Sequence, residues 1–191
     1  MKAFLLGLLF CSAAFATTLI KADLAFLTKN SDAVVVGTVG SVQSRMSGDG
    51  KRIITDSEIA VSQTLKGTVP ATVVVMQPGG EVGDVGQYVS GVARFATGEE
   101  VIVFLEKRGD RFFVTGLAQG KYRVEHAADG KRYAVPAKEL DAEVVDPLTH
   151  QPVAPSTTPV LFETFVQQIV AAVGQSTAPA KTAPKGLESR P

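Results

Sequence analysis

The chain has 191 residues, of which 45% are hydrophobic, and its 19 basic and 19 acidic residues balance. This length can bury the core of one domain. The balanced charge argues against a nucleic-acid or anionic-membrane partner, since phosphate binding requires clustered positive charge. The single cysteine excludes an intramolecular disulfide and a thiolate metal site.

The first sixteen residues are predicted to be a cleaved secretory signal peptide. A lysine follows the first methionine, an apolar stretch runs over 3–16, and Ala14-Phe15-Ala16 forms a small-residue cleavage site before Thr17. The stretch is shorter than the roughly 20 apolar residues that span a bilayer. The alternative is a buried N-terminal helix. Cleavage between Ala16 and Thr17 predicts a secreted or periplasmic protein that has no membrane contact and has lost Cys11 with the signal.

The mature chain is predicted to begin with a short helix at 17–30, because Ile20, Leu24 and Leu27 recur at helical spacing. A run of β-branched residues then predicts a strand at 33–39, in which a glycine indicates a bulge or a close backbone approach.

Short β-branched runs separated by turn residues continue from there to residue 140. The polar segment 44–51 is predicted to be a hairpin tip, and Asp129-Gly130 is a strong hairpin signal. Five to seven such strands with little helix indicate a mainly β domain over 17–140, built as a closed barrel or a sandwich. The predicted strands after the first are 53–63, 72–76, 87–89, 101–105, 111–115, 121–124 and 132–135.

The C-terminal part is predicted to contain a proline-rich connection at 141–158 and one amphipathic helix at 159–174. Thr158 is the expected cap, Pro159 the first helical residue, and Gly174 stands just past the end. The apolar stripe of this helix either covers the barrel or binds a partner. The first interpretation is favoured, because soluble monomers seldom expose patches of that size. Residues 175–191 lack core residues and are predicted to be disordered.

A glycine-rich loop at 78–91 is the candidate recognition surface, because long loops on a rigid scaffold commonly carry binding residues. Its glycines are explained by turns with positive φ. Backbone amides there could also cradle an anion, and its two carboxylates could bind calcium, but neither site is complete. The candidate binding residues are Gly79, Gly80, Glu81, Gly83, Asp84, Gly86 and Tyr88.

The sequence offers no catalytic set. His126 lies near a predicted turn and His150 in the proline-rich connection, and neither has the spacing of zinc ligands. No Gly-x-Ser-x-Gly motif marks a nucleophilic serine. The sequence therefore predicts no catalytic residue, no metal ligand and no cofactor.

Residues 24–124, a little over half of the chain, resemble a group of uncharacterised bacterial exported proteins. The matching segments are Ser31-Asp32-Ala33-Val34-Val35-Val36-Gly37, Leu65-Lys66-Gly67, Pro78-Gly79-Gly80, Gly98-Glu99-Glu100-Val101-Ile102-Val103-Phe104-Leu105 and Gly120-Lys121-Tyr122-Arg123-Val124.

Such proteins tend to be associated with secreted matrixin-like metalloproteases. The same order of segments is similar to the netrin-like barrel of tissue inhibitors of metalloproteinases. The resemblance implies a partly open, five-stranded barrel of the oligonucleotide/oligosaccharide-binding (OB) type. Those inhibitors chelate the protease zinc through an N-terminal cysteine. A chain that begins at Thr17 has none, so the inhibitory mechanism does not carry over.

Three functions follow in order of preference. The first is an exported, non-catalytic binding or regulatory module that engages another exported protein, such as a protease, through barrel loops. The second is a carbohydrate- or cell-envelope-binding module, which ranks lower because the chain has no tryptophan. The third is a hydrolase. The sequence leaves the oligomeric state open.

Overall fold

The computed structural model describes residues 17–137 and 141–177. The predicted signal segment with Ala16, and residues 178–191 of the predicted tail, lie outside these ranges. The α-helices are α1 (Leu24–Asn30) and α2 (Phe162–Thr177), and a short 3-10 helix spans Leu117–Gly120. The strands are β1 (Thr18–Ile20), β2 (Ala33–Met46), β3 (Ile53–Lys66), β4 (Thr72–Pro78), β5 (Gly80–Val82), β6 (Val85–Gln87), β7 (Glu100–Arg108), β8 (Arg111–Val114), β9 (Lys121–His126), β10 (Arg132–Pro136), β11 (Glu143–Val145) and β12 (Val160–Leu161).

The mainly β fold is confirmed, and five strands form a ring. Hydrogen-bonded neighbours follow the order β7-β2-β3-β4-β8 and return to β7. The ring pairs are antiparallel except where β4 meets β8 in parallel at Val75 and Phe112. The predicted bulge is also confirmed, since the β2–β3 register shifts between Val36 and Gly37. A Cβ on Gly37 would lie 2.5 Å from the carbonyl oxygen of Ala60, so the strands approach there closely.

Two apolar cores lie on opposite faces of the ring strands. Alternate residues of β7 explain why its sequence is continuously apolar: Val103 packs inside the ring, whereas Phe104 packs outside under the helices. A strand buried on both faces has no polar positions to alternate with. The inner core contains Ala33, Val35, Val39, Ile59, Val73, Val75, Ala93, Val101, Val103, Leu105, Phe112, Val114, Ala118 and Ala137.

Helix α2 packs on the outer face of the sheet rather than over an end of the ring. Phe162, Phe165 and Ile169 are buried there against residues of β2 and β7. The predicted start at Pro159 is wrong, because residues 160 and 161 extend the sheet by pairing with β10. The predicted end is also wrong, because Gly174 lies inside the helix.

The predicted N-terminal helix is wrong over its first residues. Thr18–Ile20 forms a strand that pairs in parallel with Glu143–Val145, so the predicted connection 141–158 also contains a strand. Helix α1 begins later because Asp23 is its N-cap and accepts a hydrogen bond from the Phe26 amide at 2.7 Å. The helical spacing from Ile20 was therefore accidental, and Ile20 is exposed.

The Leu65-Lys66-Gly67 segment at the end of β3 holds helix α1 against the sheet. A helix leaves its last carbonyls without partners, and the Lys66 ammonium group donates to those of Thr28 and Ser31 at 2.6 and 2.5 Å. Asp32 accepts a hydrogen bond from the Lys107 amide at 2.6 Å. These contacts join α1, β3 and β7 at one corner.

Gly67 lies at the same corner, packed against the backbone of Asp32 and Ala33. Its φ is +76°, and a Cβ would lie 2.2 Å from the Asp32 carbonyl oxygen. Gly67→Ala should lower the free energy of unfolding by about 3 kcal/mol. The backbone at Asp32 must move to make room for the Cβ, and the alanine must also adopt a strained positive φ. Gly130→Ala is the matched control: its φ is +78° with open space around it, so it should lose about 1 kcal/mol. Urea denaturation that gave equal losses would contradict this account.

Candidate binding cleft

The ring is incomplete at one end because β8 has only four residues. β4 pairs with β8 only through Val75 and then continues to Pro78 without that neighbour. A cleft of about 480 Å³ occupies this end, a size typical of ligand sites, which span about 300–1,000 Å³. Its lining comprises Val42, Ser44, Thr55, Ser57, Gln77, Pro78, Gly79, Gly80, Glu81, Gly86, Gln87, Tyr88, Val89, Val92, Ala93, Arg94 and Phe95.

The glycine-rich loop forms one side of this cleft as the hairpin β5–β6. The short strand predicted at 87–89 therefore lies earlier, at Val85–Gln87. Five of the predicted binding residues line the cleft, namely Gly79, Gly80, Glu81, Gly86 and Tyr88. Gly83 and Asp84 lie at the hairpin tip, outside the lining. The structure thus brings most of the predicted set together around a shared cavity.

A fixed pattern of hydroxyl groups attaches the hairpin to the ring. Thr55 donates its only hydroxyl hydrogen to the Gly79 carbonyl at 2.6 Å. The 2.9 Å contact between Ser44 and Thr55 must therefore have Ser44 as the donor. Gly80 has to be glycine, because a Cβ there would lie 2.3 Å from each of these two hydroxyl oxygens.

The floor of the cleft carries two buried polar atoms, Ser57 Oγ and Gln77 Nε2. Their residues are 0% and 5% exposed. Among the described residues neither atom has a hydrogen-bond partner. An unpaired buried polar group costs about 1–3 kcal/mol, and such groups are few in native proteins. Both residues line the cleft, so a group bound there would lie beside them.

Sequence reasoning missed these two residues, although their positions carried a signal. Ser57 lies two residues before Ile59 on β3, and Gln77 two residues after Val75 on β4. Residues two apart on a strand share a face, so both polar side chains occupy core-facing positions. A polar residue at such a position requires a partner.

A buried lysine fixes the opposite wall. Lys121 is 1% exposed, and its ammonium group donates to the Arg94 carbonyl and lies 2.9 Å from a Glu99 carboxylate oxygen. It also lies 4.9 Å from the centre of the Phe95 ring, within range of a cation–π interaction. These contacts hold the segment 92–99 against β9, although sequence reasoning assigned Lys121 no role beyond the family resemblance.

One exposed aromatic side chain lines the cleft, and two exposed apolar side chains lie on strands that contribute to it. Tyr88 is 63% exposed, and the Arg94 guanidinium lies 4.7 Å from its ring centre, so cation–π attraction holds one ring face. Val85 on the hairpin is 60% exposed, and Met46, at the end of the neighbouring strand β2, is 41% exposed. We name Met46, Val85 and Tyr88 the apolar rim.

The two histidines lie away from the cleft. His126 Nε2 is 2.9 Å from a carboxylate oxygen of Glu100, which Arg132 also contacts. Arg132 further donates to Glu163 on α2, and this hydrogen bond holds the pKa of that carboxyl below its usual range. His150 lies in an exposed turn.

The groups that line the cleft can form hydrogen bonds and apolar contacts with a bound molecule. Over residues 17–137 and 141–177, no three acidic, histidine or cysteine side chains converge as a metal site would require. Neither described α-helix has the length and apolar character needed to cross a membrane.

No protein-family model and no curated protein matches the chain.

The hydroxyl and amide groups of the cleft provide a stability test. Ser57→Ala and Gln77→Met should each raise the free energy of unfolding by about 1 kcal/mol, because each removes an unpaired buried polar group. Thr55→Val should lower it by about 1 kcal/mol, since its hydroxyl is paired twice. Urea denaturation of the three variants would measure this. Losses at all three positions would mean that the floor atoms already have partners in the folded protein.

The ion pair behind the wall provides another test. Glu99→Gln should lower the free energy of unfolding by about 3 kcal/mol, because it leaves the Lys121 charge buried without its counter-ion. Adding Lys121→Met should restore most of this loss. Glu125→Gln is the control, since this half-exposed carboxylate pairs with Arg123 at the surface and should change stability by less than about 0.5 kcal/mol. A double variant no more stable than Glu99→Gln in chemical denaturation would refute the assignment.

Proposed function

We propose that the protein is an exported, non-catalytic module that binds another exported protein at the open end of the ring. The observation that carries this proposal is the exposed apolar rim: Tyr88 lines the cleft, and Met46 and Val85 lie on β2 and β6, which both contribute to its lining. Exposed apolar groups beside a cavity are typical of protein-binding sites, and aromatic residues and methionine are enriched in such interfaces.

The ring itself supports the finer assignment to an OB or netrin-like barrel, which we also propose. Five strands that close only partly agree with that barrel type. The resemblance of residues 24–124 to exported proteins associated with matrixin-like metalloproteases makes a secreted protease the preferred partner. Fold resemblance by itself is analogy, and the proposed contact is made by the rim and the cleft rather than by a zinc-chelating N-terminus.

Export is part of the same proposal. A signal peptide over residues 1–16 would leave Thr17 as the first residue, and its carbonyl already accepts a hydrogen bond from the Glu143 amide at 3.0 Å. The N-terminus that cleavage would create is therefore hydrogen-bonded to β11. Intact-mass measurement of the protein recovered from its host should give a chain that starts at Thr17.

A carbohydrate partner is the second candidate, and Tyr88 is the observation that favours it. The aromatic side chain of Tyr88 is largely exposed, and the hydroxyl groups of Ser44 and Thr55 line the same cleft. A sugar can stack on an aromatic face while its hydroxyls bond to such groups. Exposed Met46 and Val85 have no evident role in that case, so the protein partner is preferred.

Site-specific cross-linking tests the proposal. A photoreactive benzoylphenylalanine at Val85 should cross-link a defined exported protein in the culture from which the chain is secreted, because this position lies on the apolar rim. The same group at Leu148, which is 87% exposed in a turn away from the cleft, is the matched control. Addition of Tyr88→Ala should reduce the Val85 cross-link at least about fivefold if the aromatic residue is a binding hot spot of 1 kcal/mol or more.

Two outcomes would contradict the proposal. One is the same set of cross-linked proteins from both positions, which would show non-specific encounters. The other is a specific cross-link to polysaccharide at Val85, which would establish the carbohydrate candidate instead.

A further inference from the structure

We infer that the floor of the cleft is an anchoring site for a neutral amide group of the bound partner, held by Ser57 and Gln77. The inference rests on the proposed function in that it assigns the chemistry of the same site. It is carried by Ser57 Oγ and Gln77 Nε2, the two of four such buried atoms that belong to cleft residues and have no hydrogen-bond partner among the described residues.

The group that reaches the floor has to be uncharged. The charged residues of the lining, Glu81 and Arg94, are both exposed residues, so the floor between Ser57 and Gln77 offers no counter-ion. Burying an ion without a partner costs several kcal/mol. A carboxylate or an ammonium group is therefore excluded from the floor. A purely apolar group would leave both buried atoms unpaired and gain nothing from them.

The hydrogen-bond donors that are still unused at the floor require an acceptor on the bound group. Thr55 has used its hydroxyl hydrogen on Gly79, and Ser44 has used its own on Thr55. Gln77 Nε2 can only donate, whereas Ser57 Oγ can donate or accept. The occupant must therefore present an oxygen acceptor to Gln77.

An amide meets this requirement with a single group. Its carbonyl oxygen accepts from Gln77 Nε2, and its N–H donates to Ser57 Oγ. Ser44 Oγ also keeps free acceptor capacity after its own donation. The aliphatic part of the occupant would lie against Val42, Val92 and Phe95, which line the walls. A sugar ring, with a hydroxyl on nearly every carbon, would exceed the few polar partners that the floor provides.

Such an amide has two sources in a protein partner, and both share the same chemistry. A primary carboxamide comes from an asparagine or glutamine side chain, whereas a secondary amide comes from the backbone of an extended segment. Small amides separate these sources, because each fragment reproduces one of them without the remainder of the partner.

The test is a set of NMR titrations of the whole mature chain, read at the side-chain NH₂ resonances of Gln77. These signals are assigned by their loss in Gln77→Met. The probes are propionamide for a side chain, N-methylacetamide for backbone, propionate as the charged isostere of propionamide, and methyl glucoside as a sugar. For five heavy atoms, a dissociation constant on the order of 10 mM is expected.

The expected result is a saturable shift of the Gln77 signals with one or both amides and at least about tenfold weaker binding of propionate. In Ser57→Ala, which keeps the Gln77 signals, the response should be at least about fivefold weaker, because the hydroxyl that accepts from the amide is lost. Thr38→Val, at an exposed position of β2 outside the cleft lining, should leave it unchanged. The stronger of the two amides identifies the source.

Three results would overturn the inference. The first is no saturable shift with either amide. The second is equal or tighter binding of propionate or methyl glucoside. The third is a long-lived water at Gln77, detected by its nuclear Overhauser effect, that the amides do not displace, since a structural water would then satisfy the floor.

These results are separable from those of the cross-linking experiment. Amide binding without a cross-linked protein at Val85 would refute the proposed function and leave a small-molecule amide site. A specific protein cross-link without amide binding would retain the proposed function and refute the anchoring role of Ser57 and Gln77.

Discussion

Strand β7 determines the architecture because one of its edges is shared by two strands. Its first edge pairs with β2, whereas its second pairs with β9 over residues 101–103 and with β8 over 105–108. The sheet therefore divides into two branches along a single strand. The β8 branch closes the ring, and the β9 branch continues into β10 and β12, over which α2 packs.

The cleft is a consequence of this division. Where β8 is absent, the ring wall beside β4 must be completed by a loop, and residues 92–95 perform that role. Lys121 lies on the β9 branch and binds this loop through Glu99 and the Arg94 carbonyl. Because buried charges must be paired, the ion pair gives the wall a definite position although no strand supports it.

Functional sites commonly lower the stability of the fold that carries them, and the unpaired polar atoms at the floor have this effect. The ring interior is otherwise packed with valine, alanine, isoleucine, leucine and phenylalanine, and apolar residues at Ser57 and Gln77 would continue that packing. Residues that weaken a fold at one place commonly mark a functional site. Lys66 and Asp32 are paired and support the fold, whereas Ser57 Oγ and Gln77 Nε2 are the two cleft atoms among the four described buried side-chain atoms that have no hydrogen-bond partner.

Much of the β-strand content followed from the sequence because alternation and glycine turns are local signals. The bulge at Gly37 and the hairpin at Asp129-Gly130 were predictable for this reason. The pairing of residues 18–20 with 143–145 was not, since three-residue strands carry little periodicity and their partners are distant in sequence. The helix start at Phe162 was misjudged because Pro159 resembles a first helical residue, whereas pairing with β10 extends the sheet through residue 161.

The site was only partly predictable. Glycines and Tyr88 marked the loop at the cleft, but the floor and the wall depend on which distant strands the ring brings together. Native-state hydrogen exchange tests the division at β7. The amides of residues 101–105, paired on both edges or buried between two cores, should exchange only through global unfolding. Those of β5 and β6, bonded within a two-stranded hairpin, should open at least about 2 kcal/mol more easily. Equal protection of hairpin and β7 would contradict the architecture described above.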